Sequence, residues 1–89
     1  MNNIKVYVEV EANFDREGNI LPKTIKWEDG RTYEIDKVFS VFPAVARRAG
    51  GQGDCFAIRI NGQESRLYFE RSTSIRGVNL GRWFVERKV

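Results

Sequence analysis

The segment CFAIRINGQESRLYFE, residues 55–70, decides the fold. Its first half places Phe56 and Ile58 on one face of an extended chain, in the period-two alternation of a half-buried strand. The Asn-Gly pair that follows is a strong signal for a hairpin turn. The second half places Leu67 and Phe69 on one face and polar residues on the other. The segment therefore predicts an antiparallel β-hairpin with one buried face.

Alternation of the same kind recurs on both sides of this hairpin. The segments IKVYVEVEA, ILPKTIKWED, RTYEIDKVFSVF and RWFVERK each have the pattern of a strand, and turn residues separate them. Strands spaced about 8–12 residues apart are typical of small barrels. We therefore predict an all-β fold, a small antiparallel barrel of about five to six strands, SH3-like or OB-like in size. At most one short helical turn is expected, near residues 43–49.

In the third predicted strand, RTYEIDKVFSVF, the alternation shifts: the apolar face holds odd-numbered residues at the start and even-numbered residues later. Tyr33 and Ile35 share one face, and three later residues have the opposite parity: Val38, Ser40 and Phe42. A bulge or bend near Asp36–Lys37 would bring both groups to the same side. One long strand could then serve two parts of a curled sheet.

The chain of 89 residues makes one domain, residues 1–89, with one modest core. The inward positions of the predicted strands supply this core: Trp27, Ile35, Phe56, Ile58, Leu67, Phe69, Trp83 and Val85. Four aromatic residues fall on outward positions or at strand edges: Tyr7, Tyr33, Tyr68 and Phe84. Outward rings interleaved with arginine either stack on single-stranded bases or cover the ends of the core.

Histidine is absent from the chain, and Cys55 is its single cysteine. This composition excludes an intrachain disulfide, the common zinc sites, the Ser-His-Asp triad and the Cys-His dyad. Cys55 begins a strand, which favours a buried and inert thiol. Asp29 and Asp36 are most simply a turn residue and a bulge residue. We therefore expect no enzymatic activity, no cofactor and no metal site.

The glycine-rich segment ARRAGGQGDCF, residues 46–56, resembles a phosphate-binding loop at first sight. A P-loop requires a Lys-Ser/Thr pair before a helix, and a dinucleotide fingerprint requires a third glycine at the start of a helix. This segment has neither and leads into a strand. Two interpretations remain open: an anion-binding nest beside Arg47 and Arg48, or a sharp corner that needs glycine.

Charge is unevenly distributed along the chain. Residues 1–46 hold six Lys/Arg and eight Asp/Glu, whereas residues 47–89 hold nine and four, and eight of those nine are arginine. A basic half favours nucleic acid or an acidic protein as partner. It is also compatible with a solvated face whose arginines pair with Glu64, Glu70 and Glu86.

Five residues form the candidate nucleic-acid site: Arg47, Arg48, Arg59, Arg66 and Tyr68. Arg66 and Tyr68 share the outward face of one strand, and Arg59 lies outward on its hairpin partner, so these three form one patch. Arg47 and Arg48 join this patch only if the glycine-rich loop folds toward it.

Four segments carry a family resemblance: WEDGRTYEIDKV, GGQGDCFAIRINGQE, LYFE and GRWFVE. With its Trp-x-Asp-Gly-Arg-x-Tyr block, glycine-rich loop and Arg-Trp-Phe-Val-Glu block, the chain resembles a family of small bacterial proteins that has no established activity. The resemblance implies no catalytic residue. The resemblance also implies that some relatives are encoded near DNA-repair polymerases of the translesion type, a gene context that would favour a nucleic-acid or polymerase accessory role.

These observations predict a non-enzymatic binding or adaptor module that contacts nucleic acid or a DNA-handling protein through its arginine-rich half. The alternative is a protein-interaction module that pairs through an exposed sheet edge without contacting nucleic acid. No apolar run reaches the roughly 18–20 residues that a transmembrane helix needs, and the N-terminus lacks a signal-peptide pattern. A cytoplasmic location without membrane contact is expected.

Overall fold

In a computed structural model of the protein, which describes residues 3–45, 52–71 and 81–88, six antiparallel strands close into a barrel. The strands are β1 (Asn3–Phe14), β2 (Ile20–Lys26), β3 (Thr32–Val45), β4 (Gln52–Ile60), β5 (Gln63–Arg71) and β6 (Gly81–Lys88). Each strand pairs with the next, and β6 pairs with β1. The predicted all-β antiparallel barrel is confirmed. No helical turn starts at Pro43, because β3 continues through Val45; residues 46–49 of that predicted turn lie outside the described residues.

Two long strands divide the barrel into two sheets. The first half of β1 pairs with β6 and its second half with β2, while β3 pairs first with β2 and then with β4. One sheet therefore contains five strands, in the order β1, β6, β5, β4 and β3. The other contains three, in the order β1, β2 and β3. We refer to the first as the five-stranded sheet.

The bend expected in β3 is present, and a second irregularity follows it. The register with β4 shifts between Ile35 and Lys37 and again between Val38 and Ser40. The first shift brings Val38 opposite the buried Ile58, as the sequence predicts. The second shift reverses the parity once more. The prediction that Ser40 and Phe42 lie on the same side as Val38 is therefore wrong, because both face outward.

The hairpin turns have the geometry that their residues favour. Asn61 and Gly62 have φ angles of 53° and 77°, the positive values that a two-residue turn requires at both central positions. The β2–β3 turn closes with a hydrogen bond of 2.7 Å from the Trp27 amide to the Arg31 carbonyl. Asp29 accepts the Arg31 amide at 2.9 Å, which confirms its role as a turn residue.

The core lies between the two sheets. Its buried residues are Ile25, Phe56, Ile58, Leu67 and Phe69, and the partly buried Trp27, Ile35, Trp83 and Val85 pack against them. All eight predicted core positions are thus in or against this cluster. Tyr33 was expected at an outward position or at a strand edge. It pairs directly with Ile25 and lies on the core side, the face that it shares with Ile35.

The strands β2 and β3 pair at one end and diverge beyond it. Only three residue pairs join these strands, and a cleft of about 620 Å³ separates the start of β2 from the end of β3. Phe56 and Phe69 line its apolar base. The diverging segments contain Pro22 and Pro43, and proline has no N–H to donate to an added strand. Each of the two diverging segments therefore contains one backbone position that cannot donate a hydrogen bond.

Gly53 explains part of the glycine-rich segment. It pairs with Glu70, and a Cβ placed on it would lie 1.9 Å from the carbonyl oxygen of Phe69. The close approach of β4 to β5 therefore requires glycine at this position. Gly53 lies within a strand and does not have the positive φ expected of a corner glycine. Residues 46–51 of the segment lie outside the described residues, so the choice between a corner and an anion nest stays a prediction.

Truncation of Phe56 tests the core. Phe56 is 3% exposed, so we expect Phe56→Ala to lower the free energy of unfolding by about 3–5 kcal/mol through lost burial and a cavity. Phe14 is 59% exposed at the end of β1, so Phe14→Ala should change it by less than about 0.5 kcal/mol. Chemical denaturation of the three proteins measures both effects. Equal midpoints for the parent and Phe56→Ala would show that the core is assigned incorrectly.

Substitution of Gly53 tests the close approach of β4 to β5. The obstructing atom is a backbone oxygen, which cannot move without shifting the strand, so Gly53→Ala should cost about 3 kcal/mol. Gly30→Ala is the control: Gly30 has a φ of 88° but no atom within 4 Å, and its cost should be about 1 kcal/mol. Thermal unfolding distinguishes the two. A larger loss for Gly30→Ala would contradict the close packing.

Candidate functional site

The outer face of the five-stranded sheet carries a continuous row of apolar residues. The strand registers align Phe42 with Cys55, Cys55 with Tyr68, Tyr68 with Phe84, and Phe84 with Tyr7. These five residues, one from each strand, form a single line across the sheet, which we call the aromatic row. The row lies on the opposite face from the core, because its members alternate with core residues along β1, β4, β5 and β6, and Phe42 is the register partner of Cys55.

Ring contacts hold the centre of the row together. The rings of Tyr68 and Phe84 stack with centroids 5.0 Å apart and planes 7° apart. Tyr7 meets Phe84 edge-on at 6.0 Å. Phe84 and Cys55 are each only 1% exposed although they face outward. The row therefore forms a second, smaller apolar cluster outside the barrel.

The two ends of the row are open to solvent. Tyr7 is 43% exposed and Phe42 is 39% exposed. Each ring has an arginine beside it. The guanidinium carbon of Arg82 lies 4.2 Å from the Tyr7 ring centroid, and that of Arg66 lies 6.0 Å from the Phe42 centroid. Both ends thus combine an aromatic surface with a planar cation.

Glu70 organises the Tyr7 end of the row. Its carboxylate forms an ion pair with Lys5 and accepts hydrogen bonds from the Tyr7 hydroxyl at 3.1 Å and from Arg82 Nη2 at 3.3 Å. The hydrogen bond from Lys5 is the main reason that the pKa of Glu70 lies below its usual range. The Lys5 ammonium also lies 5.0 Å from the Phe84 centroid, so its side chain covers that ring. The positive charges at this end are therefore already engaged with a carboxylate.

Three cations on the same face of the sheet have no such partner within the described residues. Arg66 lies beside Phe42, whereas Lys37 and Arg59 are register partners further along β3 and β4. Lys37, Arg59 and Arg66 lie on the outer face of β3, β4 and β5, and we call them the cationic corner. Arg59 is opposite Glu64 in the register, yet no ion pair within the described residues includes any of the three. The segments 46–51 and 72–80 contain no Asp or Glu. This corner therefore presents positive charge that is available to a ligand.

Phe39 adds an aromatic ring to this corner. It lies at the second register shift of β3 and is 43% exposed. The Lys37 ammonium lies 5.3 Å from its ring centroid. The corner therefore combines cations with an exposed ring, as the two ends of the row do.

Tyr68 lies at the centre of the row and not at an open end. Its hydroxyl is hydrogen-bonded to Glu86, while one face of its ring packs on Phe84. Burial of the phenol, followed by this hydrogen bond, raises the pKa of Tyr68 to about 12. The second oxygen of Glu86, Oε2, is buried without a hydrogen-bond partner in the described part of the chain. The Tyr68 phenol is therefore protonated at neutral pH and lies beside the Glu86 carboxylate.

The structure brings three of the five predicted site residues together. Arg59, Arg66 and Tyr68 share the outer face of the β4–β5 hairpin, as strand parity predicts. Arg47 and Arg48 lie outside the described residues. The sequence analysis missed Phe42, because only the second bulge of β3 turns it outward. It also missed the ion pair of Glu70 with Lys5, which lies 65 residues away in the sequence. Pairing of Glu70 with an arginine was one of its alternatives, and Arg82 provides that partner.

Cys55 occupies a covered position within the row. Its sulfur accepts a contact of 3.9 Å from Arg66 Nη1, and it is flanked by Phe42 and Tyr68 in the register. The prediction of a buried thiol is confirmed for this free cysteine. In the parts of the chain that the structure describes, no group of three or more Cys, Asp or Glu side chains is placed to hold a metal ion.

Comparison with protein-family models, with curated proteins and with solved structures finds no match for this chain. The family resemblance carried by the Trp-x-Asp-Gly-Arg-x-Tyr and Arg-Trp-Phe-Val-Glu blocks therefore stays a prediction. Within residues 3–45, 52–71 and 81–88, no helix has the length and apolar character needed to cross a membrane.

Alkaline titration tests the environment of Tyr68. The folded state holds the phenol proton more tightly than the unfolded chain, whose tyrosine pKa is about 10. The stabilising contribution is therefore complete below about pH 10 and is lost as the pH rises through about 12. Ultraviolet difference spectroscopy should show one tyrosine ionising near pH 12.

The variant Tyr68→Phe assigns this ionisation to Tyr68, because it keeps the ring stacked on Phe84 and removes the hydroxyl. The ionisation near pH 12 should be missing from its titration. The difference in stability between parent and variant should also shrink as the pH rises above about 10. A high-pH ionisation that persists in the variant would assign the raised pKa to another tyrosine.

Proposed function

We propose that this protein is a non-enzymatic binding module that holds single-stranded nucleic acid on the outer face of its five-stranded sheet. One observation supports the proposal most directly. The exposed rings at the ends of the aromatic row lie beside arginines, and one end adjoins the cationic corner of Lys37, Arg59 and Arg66.

The aromatic rings and cations on this face match the chemistry of an unpaired nucleic-acid strand. Bases present flat π-faces that stack on exposed aromatic rings and on guanidinium planes. Phosphates accept charge-assisted hydrogen bonds from arginine, whose planar fork suits them. A double helix keeps its base faces inside the stack, so only its phosphates would be accessible to this surface.

The same geometry supports weak binding with little sequence preference. The strands of the five-stranded sheet are paired with their neighbours, so their backbone groups are not available to base edges. Stacking and phosphate contacts remain, and every base offers both. Binding of this kind depends strongly on salt, because cations on the protein displace counterions from the strand.

The alternative, pairing of a partner protein with an exposed sheet edge, is less well supported. The barrel is closed, and its open seam lies between β2 and β3. Pro22 and Pro43 lie in the strand segments that border that seam, and prolines in edge strands are one way in which natural proteins protect edges from added strands. A DNA-handling protein that uses the outer face remains compatible with an adaptor role.

Fluorescence anisotropy with labelled single-stranded oligonucleotides tests the proposal. We expect a micromolar or weaker Kd at physiological salt and a log–log salt slope of about −2 to −4. Arg59→Gln and Arg66→Gln should each weaken binding and reduce the magnitude of the slope by about 0.7.

The matched control is Arg31→Gln. Arg31 is exposed on the β2–β3 turn and is paired with Asp29, away from the five-stranded sheet. Its substitution removes the same charge and should leave both affinity and slope close to those of the parent. Equal losses in all three variants would indicate a response to net charge alone. No binding by the parent at low salt would favour the protein-interaction alternative.

A further inference from the structure

We infer that one single-stranded oligonucleotide crosses the whole aromatic row and stacks its bases on Tyr7 and Phe42 at the same time. This inference rests on the proposed function. The ligand class is therefore a single-stranded oligonucleotide long enough to reach both rings. Each ring alone is a weak platform, and their combination on one strand supplies the useful affinity.

The exposure pattern of the row places the stacking positions at its ends. Phe84 and Cys55 are covered, and the ring of Tyr68 already packs against Phe84. Tyr7 and Phe42 are the two exposed members of the row. An oligonucleotide that follows the row thus meets an exposed ring, then a covered apolar stretch, then a second exposed ring.

The register sets the distance between the two rings. Tyr7 lies on β1 and Phe42 on β3, and three strands, β6, β5 and β4, separate them within the five-stranded sheet. Four strand spacings amount to about 19 Å. A single-stranded nucleic acid with stacked bases rises about 3.4 Å per nucleotide, so about six nucleotides cover this distance. An extended oligonucleotide needs fewer. A dinucleotide is too short to contact both rings.

The charges give the two ends different roles. At the Tyr7 end, Arg82 lies over the ring and is held by Glu70, so this end offers a stacking surface with its charge largely neutralised. At the Phe42 end, Arg66 and the rest of the cationic corner have no carboxylate partner in the described residues. Phosphates should therefore gather near Phe42, while the Tyr7 end contributes mainly through stacking.

A length series of oligothymidines tests this inference. Affinities for oligomers from two to about ten nucleotides are measured at low salt by NMR titration for the weak members and by anisotropy for the others. For the parent we expect a steep rise in affinity as the length approaches about six nucleotides. The rise should exceed the gradual gain expected from adding phosphates one at a time.

The variants Tyr7→Ala and Phe42→Ala identify the cause of the rise. Each should weaken binding of the long oligomers by at least about fivefold, the lower bound for one lost base–ring stack. Each should weaken binding of the dinucleotide by no more than about twofold, because one ring remains available. Since both lengths are measured on the same variant, a uniform loss of folded protein affects them equally. Tyr7→Phe keeps the ring, loses the hydrogen bond to Glu70, and should retain the rise.

The outcomes separate this inference from the proposed function. A smooth increase of parent affinity with length, or a steep rise that persists in Tyr7→Ala and Phe42→Ala, would overturn the spanning arrangement and leave nucleic-acid binding intact. Absence of parent binding at every length would remove both. A steep rise that disappears in both alanine variants and survives in Tyr7→Phe supports the spanning strand.

Discussion

The two bulges of β3 are the constraint on which the rest of the structure depends. The first, between Ile35 and Lys37, lets one strand leave the three-stranded sheet and enter the five-stranded sheet without losing its buried face. The second, between Val38 and Ser40, shifts the alternation by one residue again and so turns Phe42 outward. A bulge bends a strand and increases its twist, which a closed barrel needs at its corners. The same device therefore closes the core and completes the aromatic row.

The aromatic row gives the five-stranded sheet two apolar faces. In a chain of 89 residues the interior of the barrel is small, and the outer cluster around Phe84 adds burial that the interior cannot supply. Cross-strand neighbours provide this burial: Tyr68 stacks on Phe84, Tyr7 meets it edge-on, and Lys5 crosses its ring. The fully covered centre stabilises the sheet, while the partly covered ends remain available for binding.

Local sequence signals account for most of the fold and for half of the candidate site. Alternation and the Asn-Gly turn predict the β4–β5 hairpin, and with it the shared outer face of Arg59, Arg66 and Tyr68. Alternation also places Phe84 outward, yet its burial depends on which residues lie opposite it in neighbouring strands. The register of β6 with β1 and β5, which places Tyr7 and Tyr68 opposite Phe84, depends on closure of the barrel and is not visible in the local sequence. Phe42 was misplaced for a related reason, since no local signal marks the second bulge.

The distribution of charge along the chain and its distribution on the surface are different quantities. The second half of the chain holds nine Lys/Arg and four Asp/Glu, but Arg71, Arg82 and Arg87 are bound to carboxylates that the sequence leaves unassigned. An arginine held by a carboxylate must break that pair, or share it, before it can bind a phosphate, and this reduces its contribution to ligand affinity. The cationic corner is free of this cost although Lys37 belongs to the acidic half of the chain. A surface that binds anions is therefore found by asking which cations lack a partner. Among the side chains that the structure describes on the five-stranded sheet, those cations are Lys37, Arg59 and Arg66, of which Arg66 lies beside Phe42.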